Sequence, residues 1–343
     1  MLKLNHNIQQ VVPLYHPTSI LLVDDNEDFL HSMKLVLQPG FECFVFQHAS
    51  DAIQFVRSRP VLLHQARLES SEETDAAMEH IRDPVERRLH IEVSRLPEVF
   101  ADRSRFARAS VLVADNAMPG MSGLDMLDAL KDAPMRKLLL SGMVDEQEAL
   151  NAINSGLIDA YYPKHHPALH DALAGHLRTL QFEFFRQLTR PFEPALANGD
   201  ARFLSDQSFR EAFDRFAIEY RIIEHCVLMQ PPGILGLDES GNPVIMLVAD
   251  DDYRQASFEI AQAEGAPHGL LRCLINSQTL AAFPTRTGFY SRSLEPHWNQ
   301  YVWPSQGFGG DGWRYAIIDE PDVVRQVCSE VASYAEHRQR RLN

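Results

Sequence analysis

The chain has 343 residues, 23% of them charged and 45% hydrophobic, with a formal net charge of −15. That length suits two domains, each burying its own core, and the composition excludes a disordered or fibrous chain. The acidic excess repels phosphate polyanions at long range, so a nucleic-acid-binding class has only the terminal run Arg338, Arg340, Arg341 in its favour, and that run reads as a solvated helix end.

The first element in chain order is SILLVDDNEDFLHSMKLVLQ, where Ile20 to Val23 is a β-prone run of the kind buried on both faces of a parallel sheet. A helix follows it with Phe29, Met33, Val36 and Leu37 on one face, and Pro39-Gly40 stops it. A short strand, ECFVFQ, leads to a helix opening near Asp51. Residues 57–109 are rich in both signs of charge, with apolar residues at helical spacing, and predict one or two exposed helices broken near Pro84 and Pro97. Then come the strand SVLVADN, the loop AMPGMSG, the helix LDMLDALKDA, the strand KLLLSG, the helix DEQEALNAINSG and the strand IDAYYPK. This alternation predicts an α/β fold, a doubly wound parallel five-stranded sheet, over residues 17–180.

From His166 to Arg190 a helix places Leu169, Leu173, Leu177, Leu180, Phe184 and Leu188 close to a heptad seam. Residues 181–200 read as the linker to a smaller α+β domain over 201–343. That domain is expected to open with a helix from Asp206 to His225. A hairpin turned at Gly241-Asn242 follows, then a helix after Asp252, the strand RYAIID and a last helix begun at Pro321. The four scattered cysteines form no CxxC pair, which fits reduced, mostly buried thiols in a cytoplasm. No apolar run approaches the ~18 residues of a membrane span, and the N-terminus lacks a signal-peptide layout, so a soluble cytoplasmic protein is expected.

The chemistry sits at strand ends. Asp24 and Asp25 follow the first strand of the sheet, Asp115 the third, Ser141 the fourth and Lys164 the fifth. In a sheet of this kind strand ends open on a ligand crevice. Carboxylates gathered there repel unless a hard cation joins them, and oxygen-only ligands suit Mg2+. One carboxylate can then act as nucleophile on a phosphoryl group, with a lysine and a hydroxyl stabilising its oxygens. His165, His166 and His170 have no acidic or thiol partner nearby and read as solvated.

The segments ILLVDDNED, VLVADNAMPGMSGLDML, LLLSGM and AYYPK resemble the four signature segments of bacterial response-regulator receiver domains, across about half of the chain. The resemblance implies a flavodoxin-like receiver fold and a two-component phosphorelay. It assigns Asp115 as phosphoacceptor, in a pattern completed by Met118, Pro119 and Gly123. Asp24 and Asp25 become the acidic pair holding magnesium, with the backbone carbonyl of Ala117 as a further ligand. Ser141 becomes the switch hydroxyl, Lys164 the lysine that pairs with a phosphoryl oxygen, and Tyr161 the rotating aromatic. Implied partners are a sensor histidine kinase or phosphotransfer protein and a second copy of the chain in a phosphorylation-dependent homodimer. Implied catalysis is limited to its own phosphotransfer and autodephosphorylation.

Two departures stand out. His165 replaces the family's proline after the lysine, which removes the usual reason for a cis peptide there, since a non-proline cis bond costs about 3 kcal/mol. The 57–109 insertion replaces a short loop. The C-terminal half carries no phosphate loop and no helix-turn-helix with a basic recognition helix. It is distantly similar to the output half of quorum-sensing response regulators. Two features in it invite function: the acidic run Asp250, Asp251, Asp252, and the aromatics Trp298, Tyr301, Trp303, Phe308 and Trp313 around a glycine loop. The acidic run reads equally as a helix cap. The aromatics read as core, or alternatively as a surface for nucleic acid or a nucleotide whose binding phosphorylation would gate.

Overall fold

The computed structural model describes residues 11–38, 40–59, 93–142, 146–166, 169–197, 201–309 and 312–342. Two compact units divide them, one from 17–59 and 104–188, the other from 11–16, 93–103 and 189–342. Strand β1 (Leu14–Tyr15) belongs to the second unit.

The first unit is a five-stranded sheet of β2 (Ser19–Val23), β3 (Glu42–Phe46), β4 (Ala109–Asp115), β5 (Arg136–Ser141) and β6 (Ala160–Pro163). All pairings are parallel, in the order β3-β2-β4-β5-β6. The apolar runs are continuous because both faces are covered. Ile20, Leu22, Val111, Val113, Leu138 and Leu140 pack under α1 (Glu27–Leu37) and the later helix Leu169–Thr189. Leu21, Val23, Leu112, Ala114 and Leu139 pack under α2 (Ala49–Ser58), α3 (Gly123–Ala129) and α4 (Glu146–Asn154). This is the doubly wound sheet that the alternation predicts.

Several expectations are corrected. The buried stripe of α1 is Leu30, Met33 and Leu37, and Val36 is 44% exposed. Phe29 is only partly buried against the same core. The long helix, α5 (Leu169–Thr189), ends within a residue of the expected Arg190, and its residues through Leu188 belong to the first unit, past the expected domain end at 180. Gln181 is buried and its amide donates to Thr18 Oγ1 (2.9 Å), so the helix stays tied to the sheet, and α6 (Glu193–Ala197) follows within the expected linker. Leu169, Leu173, Leu177 and Leu180 belong to the unit's own core, so this stripe is not a free seam. Of the insertion, 60–92, including the expected break at Pro84, lies outside the described residues. From residue 93 on, the described part is not an exposed helix: Val93 is buried, and Leu96, Phe100 and Phe106 are buried in 3-10 segments at Leu96–Ala101 and Arg103–Ala107.

The second unit is built on a six-stranded antiparallel sheet. It comprises β1, β7 (Glu224–Met229), β8 (Pro232–Leu237), β9 (Pro243–Ala249), β12 (Gln306–Gly307) and β13 (Arg314–Ile318), in the order β1-β7-β8-β9-β13-β12. A separate pair joins β10 (Thr279–Ala281) to β11 (Val302–Pro304). Helices α7 (Gln207–Glu219), α8 (Asp251–Ala263), α9 (His268–Ile275), α10 (Pro321–Val327) and α11 (Tyr334–Leu342) complete it. The β8–β9 hairpin turns at Gly241, whose φ of 82° suits glycine. The opening helix ends at Glu219, not His225. Arg221 takes a positive φ of 53°, and the next apolar run enters the sheet as β7 with every residue buried. Three separated pieces of sequence build this unit, for β1 pairs with β7 and the Leu96–Ala101 segment lies against β7.

His225 of β7 is fully enclosed. Its Nε2 donates to the Val12 carbonyl (3.0 Å), its ring lies between Tyr15 and Phe213, and Nδ1 meets no hydrogen-bond partner among the described residues. Burial, with Arg210 nearby, pulls its pKa down from 6.5 to about 4. Between those values the unfolded chain binds a proton that the folded unit refuses, so stability falls as pH drops. The loss reaches about 3 kcal/mol near pH 4. All three tryptophans lie in this unit, so urea unfolding followed by their fluorescence should show the midpoint falling from pH 6.5 downward, and His225→Gln should flatten that slope.

Candidate functional site

The strand order changes direction between β2 and β4, and the carboxyl ends of these two strands bring Asp24 and Asp115 together. Asp24 is 2% exposed and Asp115 3%, while Asp25 next to them is open to solvent. One carboxylate oxygen from each of the three lies within 4.8 Å of the others. Lys164, just past β6, reaches across to both buried acids, with Nζ 2.7 Å from Asp24 Oδ2 and 3.0 Å from Asp115 Oδ1. Its backbone N–H is held by the Ser141 carbonyl at 2.9 Å. The Lys164–His165 peptide is trans, and the ammonium still arrives between the two acids.

Local sequence explains this precision. Asn26 caps α1 by accepting the Phe29 N–H (3.0 Å), and its own N–H donates to Asp24 Oδ1 (3.0 Å). After β4, Asn116 accepts the Gly123 N–H through its carbonyl (3.1 Å) and the Leu124 N–H through its side chain (3.2 Å). A Cβ on Gly123 would lie 2.2 Å from the Asp115 carbonyl oxygen, so only glycine lets α3 start this close to the acid. Ser122 caps that helix by accepting the Asp125 N–H.

Burial pushes the Asp24 carboxyl up, against the pull of Lys164 and of the Asn26 N–H. Burial also pulls on the Lys164 ammonium, but hydrogen bonds to Asp24 and Asp115 more than offset it and hold its pKa above the usual value. Three carboxylates and one ammonium leave the pocket negative. Asp24 Oδ2 and Asp115 Oδ1 are buried and face only the Lys164 ammonium among the described residues. Such an all-oxygen set fits a small hard dication such as Mg2+, with Asp24, Asp25 and Asp115 as its protein ligands.

Ser141, at the end of β5, is fully buried, and its Oγ has no hydrogen-bond partner among the described residues. Tyr161 sits on β6 opposite Leu139 and packs partly buried on the α2–α3–α4 face. Ala117 lies exposed in the turn two residues past Asp115. His165, His166 and His170 are exposed. Phe29 has a role that periodicity does not reveal: the Lys164 ammonium lies 4.8 Å from its ring centroid. The signal that could have placed it is Asn26, a residue type favoured at helix N-caps, which fixes where α1 begins.

In the second unit the acidic run is a helix start. Asp250 caps α8 by accepting the Tyr253 N–H (2.8 Å), and Arg202 pairs with Asp250 and, at 3.3 Å, with Asp252. Arg202, Asp206, Asp250 and Trp313 line one cleft there. Tyr301, Phe308 and Trp313 are buried, with Phe308 stacked on Trp313, whereas Trp298 and Trp303 are half-buried.

Because Asp24 binds a proton more tightly folded than unfolded, it opposes folding at neutral pH, and the penalty shrinks as pH falls toward its ordinary value of 3.8. Asp24→Asn, which leaves Lys164 its second partner Asp115, should therefore stabilise the chelator-treated protein at pH 7. The gain should diminish at pH 5, as read from thermal midpoints by circular dichroism.

No protein family and no curated protein sequence matches the chain. Among solved structures, the response regulator LqsR of Legionella pneumophila aligns with a TM-score of 0.70 at 24% identity, over 97% of this chain and 96% of that one. The receiver domain of Francisella response regulator 1452 aligns with a TM-score of 0.32 at 15% identity, over 48% of this chain and 98% of that one. The Thermotoga maritima response regulator TrrA, solved with Mg2+ and beryllofluoride, aligns with a TM-score of 0.30 at 17% identity, over 48% and 98%. At 24% identity the first of these likenesses speaks for fold: nearly the whole chain shares the architecture of a response regulator.

Proposed function

We propose that the chain is a response regulator of a two-component phosphorelay, with Asp115 as phosphoacceptor and the second unit as output. The observation that carries this reading is the ammonium of Lys164 held within hydrogen-bond distance of both Asp24 and Asp115, beside the open carboxylate of Asp25. A carboxylate oxygen of Asp115 attacks the phosphorus of the donor. The donor's bond to phosphorus breaks and its electron pair leaves with the donor, giving an acyl phosphate. Lys164 takes one phosphoryl oxygen as a charge-assisted partner, and the buried Ser141 hydroxyl, without a hydrogen-bond partner among the described residues, takes another. When bound by Asp24, Asp25, Asp115 and the Ala117 carbonyl, Mg2+ would neutralise charge on the transferring group.

Phosphorylation adds nearly two negative charges, and these contacts to Lys164 and Ser141 exist only in that state. Their difference shifts the equilibrium between two arrangements of the unit. The expected donor is a histidine kinase or phosphotransfer protein, and the expected readout is altered self-association or altered contact with the output unit. The chain's own catalysis is phosphotransfer and dephosphorylation.

Intact-mass measurement after incubation with acetyl phosphate and Mg2+ should reveal one added phosphoryl group, absent in Asp115→Asn. Lys164→Met should slow its appearance by about 10²-fold. Sedimentation with and without beryllofluoride should give different masses or shapes, and identical profiles would count against the switching step.

A further inference from the structure

Four contacts close a ring beside Asp115. Asp24 Oδ1 accepts the Asn26 N–H (3.0 Å), and Asn26 Oδ1 accepts the Phe29 N–H (3.0 Å). The Phe29 ring centroid lies 4.8 Å from Lys164 Nζ, and that ammonium returns to Asp24 Oδ2 at 2.7 Å. The Asn26–Phe29 bond is also the cap of α1, so the start of the helix fixes the ring. Phe29 is partly buried against the sheet core, which limits how far the ring can swing.

Two carboxylates leave an ammonium free to slide toward either one. Here Asp24 holds it at 2.7 Å and Asp115 at 3.0 Å, so without a third contact the lysine can settle wholly onto Asp24. An aromatic face attracts a cation within about 6 Å because of its negative quadrupole, and an aliphatic side chain of equal bulk does not. We propose that Phe29 is a positioning residue for Lys164, its ring face holding the ammonium between Asp24 and Asp115, within reach of a phosphoryl oxygen. The proposal rests on the reading of Asp115 as phosphoacceptor, and it acts through Lys164 without touching the transferred group.

The test separates the ring's electrostatics from its bulk. Phe29→Leu keeps an apolar side chain, Phe29→Tyr keeps the face, and pentafluorophenylalanine at 29 keeps the shape while reversing the quadrupole. In metal-free protein, the ring should shift the Lys164 ε-methylene proton resonances upfield. That shift should vanish in Phe29→Leu and persist in Phe29→Tyr. With acetyl phosphate and Mg2+, phosphorylation should slow about tenfold in Phe29→Leu and in the pentafluoro protein and stay within about twofold in Phe29→Tyr. A wild-type rate in the pentafluoro protein, which preserves packing should the leucine variant fold poorly, overturns the proposal. Wild-type lysine resonances in Phe29→Leu overturn it too. Wild-type protein that gains no phosphoryl mass at Asp115 takes down the reading beneath it as well, whereas normal wild-type phosphorylation with indifferent variants removes only the role of Phe29.

Discussion

Two buried carboxylates at the mouth of one crevice repel each other, and the ammonium of Lys164 is what lets Asp24 and Asp115 stand there together. Near a protein surface, like charges about 4 Å apart cost on the order of 4 kcal/mol, a large fraction of a domain's net stability. The rest of the first unit is arranged around that cost. The parallel sheet sets the two acids at the point where strand order reverses, Asn26 and Asn116 pin the loops that follow them, and Gly123 lets α3 begin against the Asp115 backbone. One lysine for three acids leaves a surplus of negative charge, and a divalent cation fits that surplus.

The sheet was legible because burial on both faces forces uninterrupted apolar strands, and because acids, serine and lysine stand at successive strand ends. Periodicity served less well where a side chain has two uses. Phe29 and Val36 both look like members of the α1 stripe, yet the helix turns to bury Leu30 and to lay Phe29 beside an ammonium, which leaves Val36 outside. A cation resting on an aromatic face leaves no spacing in the sequence. The expected domain end at residue 180 falls inside α5 for a similar reason, since a buried glutamine bonded to Thr18 keeps the later turns of that helix with the sheet.

In the second unit the difficulty was contact between distant segments. The run from Glu224 to Met229 follows a helix without a proline or glycine stop, and only its burial on all sides as a central strand separates it from that helix. Nothing in residues 11–16 or 93–101 advertises that they belong with β7, because each is too short to carry a periodicity of its own. The aromatic stretch, by contrast, is largely interior: Tyr301, Phe308 and Trp313 fill space that a sheet of small edge strands leaves open.

The division of that unit into three pieces has a consequence for how the protein is made. His225 grips a carbonyl 213 residues away in the chain, so the edge strand leaves the ribosome long before its neighbour exists. Until β7 emerges, β1 has no ladder to join, while the parallel sheet, complete once β6 is synthesised, can already close. Synthesis therefore favours a vectorial order in which the unit carrying Asp115 matures first. For the same reason, the C-terminal half cannot be transplanted as a simple cassette: a fusion that borrows only the residues after α5 leaves behind one edge of its sheet and the segment that lies against it.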